Sequence, residues 1–482
     1  MTIVAGIDSS TQSTKVEFRD LDTGELRAAA TAPHPPVTPP VSEQDPASWW
    51  EALEAAWDAA VAQLDAHTTD RPVAVSVAGQ QHGMVALDAD GNAVHPAKLW
   101  NDTESAADAD WLIAQLGGAE AWAHAVGSVP VAAFTATKLS WLHRVHPEAW
   151  RRVVHVLLPH DYLTFKMTGA FTTDRGDASG TGYWSPSTGE YRWDILSIID
   201  DTVDWTSVLP SVLGPFESAG TWRDAIVAPG TGDNMAAAMG LGLEPGDVAM
   251  SLGTSGTVYA VSESPSADPS GAVAGFADAT GRFLPLVCTS NAAKVIDAVA
   301  RLLDVDHDEF DRLALAATGD VPVLLPYFDG ERTPNRPVAT GVVSGLRSDV
   351  TREQLARAAV DGVVCGMLDA LDALAGHAPV TGRLVLTGGA SASAAVRDTL
   401  SALLDMPVVV SDTEQAVATG AAVQAAAVAE GVEHHVIQHR WGLGDATSVD
   451  SGSMSEASAV NGVRERYAAL RDLPGISTLA QR

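Results

Sequence analysis

The chain has 482 residues, 46% of them hydrophobic and 19% charged, with a formal net charge of −32. That length exceeds one core of ordinary size, so two or three domains are expected, and the acidity excludes a duplex-binding surface, which would repel phosphates. No apolar run reaches membrane-spanning length, no secretion signal follows Met1, and Cys288 and Cys365 are too few for a disulfide framework, so a reduced, cytoplasmic setting is expected.

Ile3 to Ile7 is an apolar strand pattern, Asp8 to Ser13 a polar turn, and Lys15-Val16-Glu17-Phe18 alternates, which together predict a hairpin. After a proline-rich stretch, Asp45-Pro46-Ala47-Ser48 has the chemistry of a helix start, and Trp49, Leu53, Ala56, Trp57, Ala60 and Leu64 keep helical spacing. Val73 to Val77 is a strand run that ends in the loop Ala78-Gly79-Gln80-Gln81-His82-Gly83-Met84. Gly230-Thr231-Gly232-Asp233-Asn234 precedes the small-residue run Ala236 to Gly240 and places Asp233 at a helix N-cap.

Val248 to Leu252, the turn Gly253-Thr254-Ser255-Gly256 and Thr257 to Val261 predict a second hairpin. Aligning Thr11 with Thr254 also aligns Thr14 with Thr257 and Asp8 with Ser251, which indicates a duplicated domain, one copy beginning at residue 1 and the other near residue 247. Arg383 to Thr387 reads as a buried strand running into Gly388-Gly389-Ala390-Ser391 and an alanine-rich helix with Leu400, Leu403 and Leu404. Gly444 to Ser458 is expected to be a mobile loop, with a short closing helix over Val463 to Leu473. Strands alternating with helices place the chain in the α/β class.

Phosphoryl transfer to an alcohol needs a phosphate cradle, a metal, a base and a pocket. There is no glycine-rich loop with a following lysine, so a cradle must come from the two hydroxyl-rich hairpins, whose turns aim N–H groups at an anion. One such turn alone is ordinary; two at matched offsets are not. Asp8 is either a turn former or a magnesium holder acting through water, and Asp233 either a helix cap or a proton acceptor. Gln81 and His82 offer an amide and an imidazole at a strand's carboxyl end, and Leu99-Trp100-Asn101-Asp102 an aromatic wall beside polar groups, which suits a polyol.

Together these strings resemble the FGGY carbohydrate kinases over roughly residues 3 to 430, in particular those acting on xylulose. The strings are Gly6-Ile7-Asp8, Ser42 to Pro46, the Gly79 to Gly83 loop, Leu99 to Asp102, Phe134 to Leu139, Leu157 to Leu163, Gly232-Asp233-Asn234, Ser251 to Gly256 and Gly330 to Pro334. The resemblance implies two actin-like ATPase (ribonuclease-H-like) domains with a ligand cleft between them, divided as 1–243 (sugar-binding, with the catalytic aspartate), 244–432 (ATP-binding) and a partly mobile extension 433–482. It also implies ATP-dependent phosphorylation of D-xylulose, with Asp233 as proton acceptor and Asp8 as the metal-linked aspartate, Asp233 sharing the Mg2+. Gln81, His82, Trp100, Asn101, Asp233 and Asn234 would bind the sugar. Thr11, Gln12, Gly253, Thr254 and Ser255 would fall on phosphate turns, and Gly388, Gly389 and Ala390 on the loop bordering adenosine. Ser9-Ser10 stands where bacterial members commonly have leucine–glycine, and Gln81 where methionine is common.

The expected partners are a small-molecule sugar and ATP, with no nucleic acid and no membrane; a homodimer is compatible with the sequence. Two other readings stay open. One is a sibling kinase for ribulose, a polyol or gluconate; the other is a non-catalytic sugar-binding sensor on the same fold, which would need neither Asp8 nor Asp233.

Overall fold

The structure is a computed structural model that describes residues 2–64, 71–449 and 462–474. It divides into two compact units, Met1–Leu243 with Glu263–Leu284 and Thr413–Asp445, and Glu244–Ser262 with Pro285–Asp412 and Ala446–Arg482. Neither unit is contiguous. The chain returns to the first after building most of the second, so a division at 243/244 and 432/433 does not trace the compact bodies: residues 413–432 pack with the N-terminal sheet.

In the first unit the sheet runs Gly220–Trp222, Ala225–Val227, Pro72–Gly79, Ile3–Ser9, Ser13–Asp20, Leu26–Pro33, with the short strand Thr231–Gly232 also paired to Pro72–Gly79. Ile3–Ser9 is antiparallel to Ser13–Asp20 and parallel to Pro72–Gly79. One face is covered by the helix Pro46–Val61, which starts where expected: the Asp45 side chain accepts the Ala47 N–H, and Pro46 fills a position whose N–H has no partner to lose. Its Trp49, Leu53 and Trp57 are buried on the sheet, and Phe18 meets Trp57 edge to face at 4.9 Å. Each such side chain contributes roughly 2–3 kcal/mol by leaving water.

The other face carries the helix Ala416–Glu430, whose alanine-rich sequence has no polar stripe and is buried along most of its length. Small residues let backbones touch: a Cβ at Gly6 would fall 2.0 Å from the Ala418 carbonyl oxygen, and one at Gly420 would fall 1.8 Å from that of Ala236 in the helix Asp233–Gly240. The packing on this face is therefore written in glycine and alanine, not in an amphipathic pattern.

The second unit repeats the plan. Val248–Leu252 is antiparallel to Gly256–Ala260 and parallel to Leu384–Thr387, and the sheet continues to Val408–Ser411. The duplication is real, but its register is not the one expected. Ser9 lies opposite Thr14, whereas the equivalent Leu252 lies opposite Gly256, because the second turn is one residue shorter. Thr14 is thus matched structurally by Gly256, and the hydroxyl correspondence with Thr257 fails on the return strand. Part of the expected loop after Gly444 is also ordered: Ala446–Ser448 is a strand paired to Val408–Ser411, while 450–458 lies outside the described residues. The closing helix is Val463–Arg471. Both cysteines are free thiols, Cys365 buried and Cys288 half-buried. Among the described residues no helix is long and apolar enough to cross a membrane.

Candidate active site

Three parallel strands of the first unit end side by side. Asp8 is in register with Ala78, Ser9 with Gly79, Thr231 with Ala78 and Gly232 with Gly79. Asp8, the Gln80–His82 loop and Asp233–Asn234 therefore emerge at one sheet edge, the usual place for a ligand in an α/β layer. Burial pushes the Asp8 carboxyl up to about 6, which Lys15 opposes and Glu17 assists. Burial, then the negative charges of Asp8 and Asp177, push Asp233 up to about 7, against the donors of Asn234. A buried carboxyl whose proton affinity is raised by a neighbouring carboxylate suits a proton acceptor beside a cation-binding group.

Asp233 is not the N-cap. Gly232 takes that position, extended at φ −70°, ψ 155°, and Asp233 is the first helical residue. Its Oδ1 accepts the Asn234 N–H at 2.8 Å and Asn234 Nδ2 at 2.9 Å, and the same Nδ2 donates to Gln81 Oε1 at 2.8 Å. Glycine is needed at 232 because a Cβ there would lie 2.7 Å from Gln81 Cγ. Gln81 is thus wired to the candidate base through Asn234.

The segment leading to Asp233 is held by residues that sequence reasoning missed. Gln424, fully buried, accepts from Gly230 N–H at 3.1 Å and Ser76 Oγ at 2.5 Å and donates to the Gly230 carbonyl at 3.0 Å. It is the one amide in an alanine-rich helix, a signal that could have marked it. Thr231 Oγ1 donates to Asp174 Oδ2 at 2.8 Å. His160 Nδ1 lies 2.7 Å from Asp177 Oδ2, and its Nε2 approaches Asp161 Oδ1 at 3.0 Å as an ion pair without hydrogen-bond alignment. Burial opposes the charge on His160, but Asp161, Asp177 and Asp174 outweigh it and raise the ring to about 9.

His82 adopts φ +67°, a strained left-handed conformation for a non-glycine residue. Its Nδ1 is 2.8 Å from the Gly180 carbonyl, which can only accept, so the proton sits on Nδ1. The ring packs between Phe134 and Phe276 at 5.0 and 5.5 Å. Trp100 is 38% exposed and donates from Nε1 to Thr11 Oγ1 at 3.0 Å, and Thr11 Oγ1 donates to Gln80 Oε1 at 3.0 Å. Gln12 is exposed, and its carbonyl accepts the His34 N–H. Asp102 works elsewhere: with Glu43 and Glu104 it surrounds buried Lys98 Nζ at 3.0, 2.9 and 2.6 Å, so a lysine fills that acidic trio.

Among the described residues, four polar atoms of the candidate site residues are buried without a hydrogen-bond partner: Asp8 Oδ1, Gln80 Nε2, Gln81 Nε2 and Asn101 Oδ1. Two donors and two acceptors left this way are costly unless a ligand satisfies them.

In the second unit, Gly253–Ser255 and Gly388–Ala390 follow neighbouring parallel strands whose ends are in register at Ser251 and Thr387. Thr254 and Ser255 are exposed; the Gly253 and Thr254 carbonyls accept the N–H groups of Ala293 and Ala292, which anchors the turn to the helix Ala293–Leu303. Gly388 sits at φ +84° against the Leu252 backbone, and Gly389 has open space around it. Glu331, buried, ties down the next loop by accepting from Ser290 N–H, Arg332 N–H and Asn291 Nδ2.

Residues 3–240 match the N-terminal domain and residues 248–429 the C-terminal domain of the FGGY family of carbohydrate kinases. The chain is 47% identical to a xylulose kinase of Streptomyces coelicolor over 95% of its length and 94% of the relative's, and 47% identical to one of Streptomyces rubiginosus over 91% and 90%. The crystal structure of xylulose kinase from Bifidobacterium adolescentis superposes with a TM-score of 0.85 at 39% identity, covering 98% of this chain and 99% of that one.

Proposed function

The chain belongs to the FGGY family of carbohydrate kinases, with actin-like ATPase domains, and from that premise we propose that it phosphorylates D-xylulose with ATP, giving D-xylulose 5-phosphate. The near full-length likeness to xylulose kinases supports the substrate. The observation that carries the site assignment is the set of four orphaned buried polar atoms, which a polyhydroxylated ligand and a hydrated cation would satisfy.

In this reading the sugar lies against Gln81, His82, Trp100, Asn101 and Asn234. Asp233 accepts the proton of the primary hydroxyl while its oxygen bonds to the γ-phosphorus and the bond to the bridging oxygen of ADP breaks. Thr11 and Gln12 form the candidate phosphate turn of the first unit; Gly253, Thr254 and Ser255 form that of the second unit, in which Gly388, Gly389 and Ala390 would border adenosine. The partnerless Asp8 Oδ1 fits a hydrated Mg2+, with Asp233 as a second carboxylate. Such an ion offsets phosphate charge that a chain of net −32 would otherwise repel. The functional division proposed is 1–243 for sugar and 244–432 for nucleotide, in a cytoplasmic protein.

The test is Asp233→Asn, which keeps the acceptor for Asn234 and removes the base. Turnover is expected to fall about 10²–10⁴-fold while the melting curve and ATP-analogue binding stay near wild type. An active Asp233→Asn enzyme would refute the base assignment. A sugar panel in a coupled ADP-release assay tests the substrate. The Gln81 amide favours including ribulose and gluconate, and sugar binding without ADP release would return the chain to a sensor.

A further inference from the structure

We infer that Trp100 is a positioning residue for the phosphoryl group: through Thr11 it fixes the Gln80 amide so that the Gln80 NH2 is presented as an uncharged donor to a phosphoryl oxygen. This rests on the kinase reading above and adds to it a relay of three side chains.

The direction of the relay follows from the chemistry of its first member. An indole N–H can only donate, so Thr11 Oγ1, 3.0 Å from Trp100 Nε1, accepts there. The hydroxyl has one proton, and its acceptor is Gln80 Oε1 at 3.0 Å. That bond settles which end of the amide faces Thr11: the oxygen does, and the nitrogen points away. Gln80 is 1% exposed, and among the described residues its Nε2 has no hydrogen-bond partner. Without Trp100 the Thr11 hydroxyl could turn and the amide could flip, which would present an oxygen where a donor had been.

A phosphoryl oxygen is favoured over a sugar hydroxyl by where Gln80 is tied. Its backbone N–H donates to the Ser9 carbonyl at 3.0 Å, and its side-chain Oε1 accepts from Thr11 Oγ1 in the turn that follows, so both ties are to the end of the strand that carries Asp8. The next residue, Gln81, is tied the other way, to Asn234 beside Asp233. Adjacent amides thus serve opposite sides of the strand end. An amide also adds N–H donors without charge, and Lys15, which acts on Asp8, is engaged with Gln415.

The experiment is steady-state kinetics on Trp100→Phe, Thr11→Val, Thr11→Ser and the double variant Trp100→Phe/Thr11→Val. Trp100→Phe and Thr11→Val should each lower kcat about tenfold, the worth of one fixed hydrogen bond, with KM for D-xylulose within about twofold of wild type. The double variant should be no slower than Thr11→Val alone, and Thr11→Ser should be near wild type. Additive losses, a Thr11→Ser enzyme as slow as Thr11→Val, or a raised sugar KM at unchanged kcat would overturn the relay and leave Trp100 a sugar wall. Should Trp100→Phe not fold, the Thr11→Val and Thr11→Ser pair reads the same bond. Wild-type turnover is measured first, so an inactive wild type counts against the kinase reading. Calorimetry with a non-hydrolysable ATP analogue then still reads the relay, which requires Thr11→Val, and not Thr11→Ser, to bind it more weakly.

Discussion

Replacing Gln424 by methionine keeps the length and volume of the side chain and removes every hydrogen bond it makes. Three buried groups then lose their partner: the Gly230 N–H, the Gly230 carbonyl and the Ser76 hydroxyl. A buried polar group stranded in this way costs about 1–3 kcal/mol, and Ser76 can recover part of that by rotating, so the loss should be about 3–6 kcal/mol. Against a total of about 5–15 kcal/mol this is a large fraction. Activity should fall further than stability explains, because Gly230 begins the segment that ends at Asp233, and a 1 Å shift of a reacting group can cost about 10²-fold. Urea unfolding followed by tryptophan fluorescence gives the first quantity, and kcat at a temperature where the variant is folded gives the second. A Gln424→Met protein within about 1 kcal/mol of wild type and with kcat within about twofold would show that the clamp positions nothing. Gln424→Glu separates the two ends of the amide, since it keeps the acceptors, loses the donor and buries a charge.

Gly420→Ala should destabilise the first unit by at least about 2 kcal/mol, because its Cβ would lie 1.8 Å from the Ala236 carbonyl oxygen and two helix backbones must separate; a melting temperature equal to wild type would disprove the contact. His434 is 2% exposed, neither ring nitrogen has a hydrogen-bond partner among the described residues, and burial, then neighbouring His435, pushes it down to about 4. Its unfolded pKa is near 6.5, so between the two values the unfolded chain binds the extra proton and stability falls as pH drops from about 6.5 towards 4, by on the order of 2–3 kcal/mol. His434→Phe should remove that part of the acid sensitivity, measured as the difference in unfolding free energy between pH 7.5 and pH 5. An equal pH dependence in both proteins would mean that the imidazole is not buried neutral.

Much of the site could be read from the sequence because its signals are local. A polar turn between two apolar runs gives a hairpin, and a strand that stops at glycine and amides gives a loop at a sheet edge; Ile3–Ser9, Gly79 to His82 and Asp233 were all placed this way. What escaped was non-local. The Thr14 to Thr257 match looked sound in sequence, and only strand register shows that the second turn is a residue shorter. Asp233 has the residue type of a cap, but Gly232 already holds the extended conformation a cap requires. The helix Ala416–Glu430 has no apolar stripe to say which sheet it covers, and its partners Gly6 and Gly240 lie far away in sequence. Gln424 could be seen as odd, but its target could not.

The interleaving of the two units bears on how the protein is made. The helix that covers Gly6 and clamps Gly230 is synthesised only after Asp412, when most of the other unit has already been made. At about 5–20 residues per second, the N-terminal sheet waits on the order of ten to forty seconds for its missing layer. During that interval its alanine-facing surface is bare, and the loop that carries Asp233 has no Gln424 to hold it. Genetic fragments ending near residue 243 would stay in that condition permanently, so this unit is not a module that can be cut out, shuffled or expressed alone.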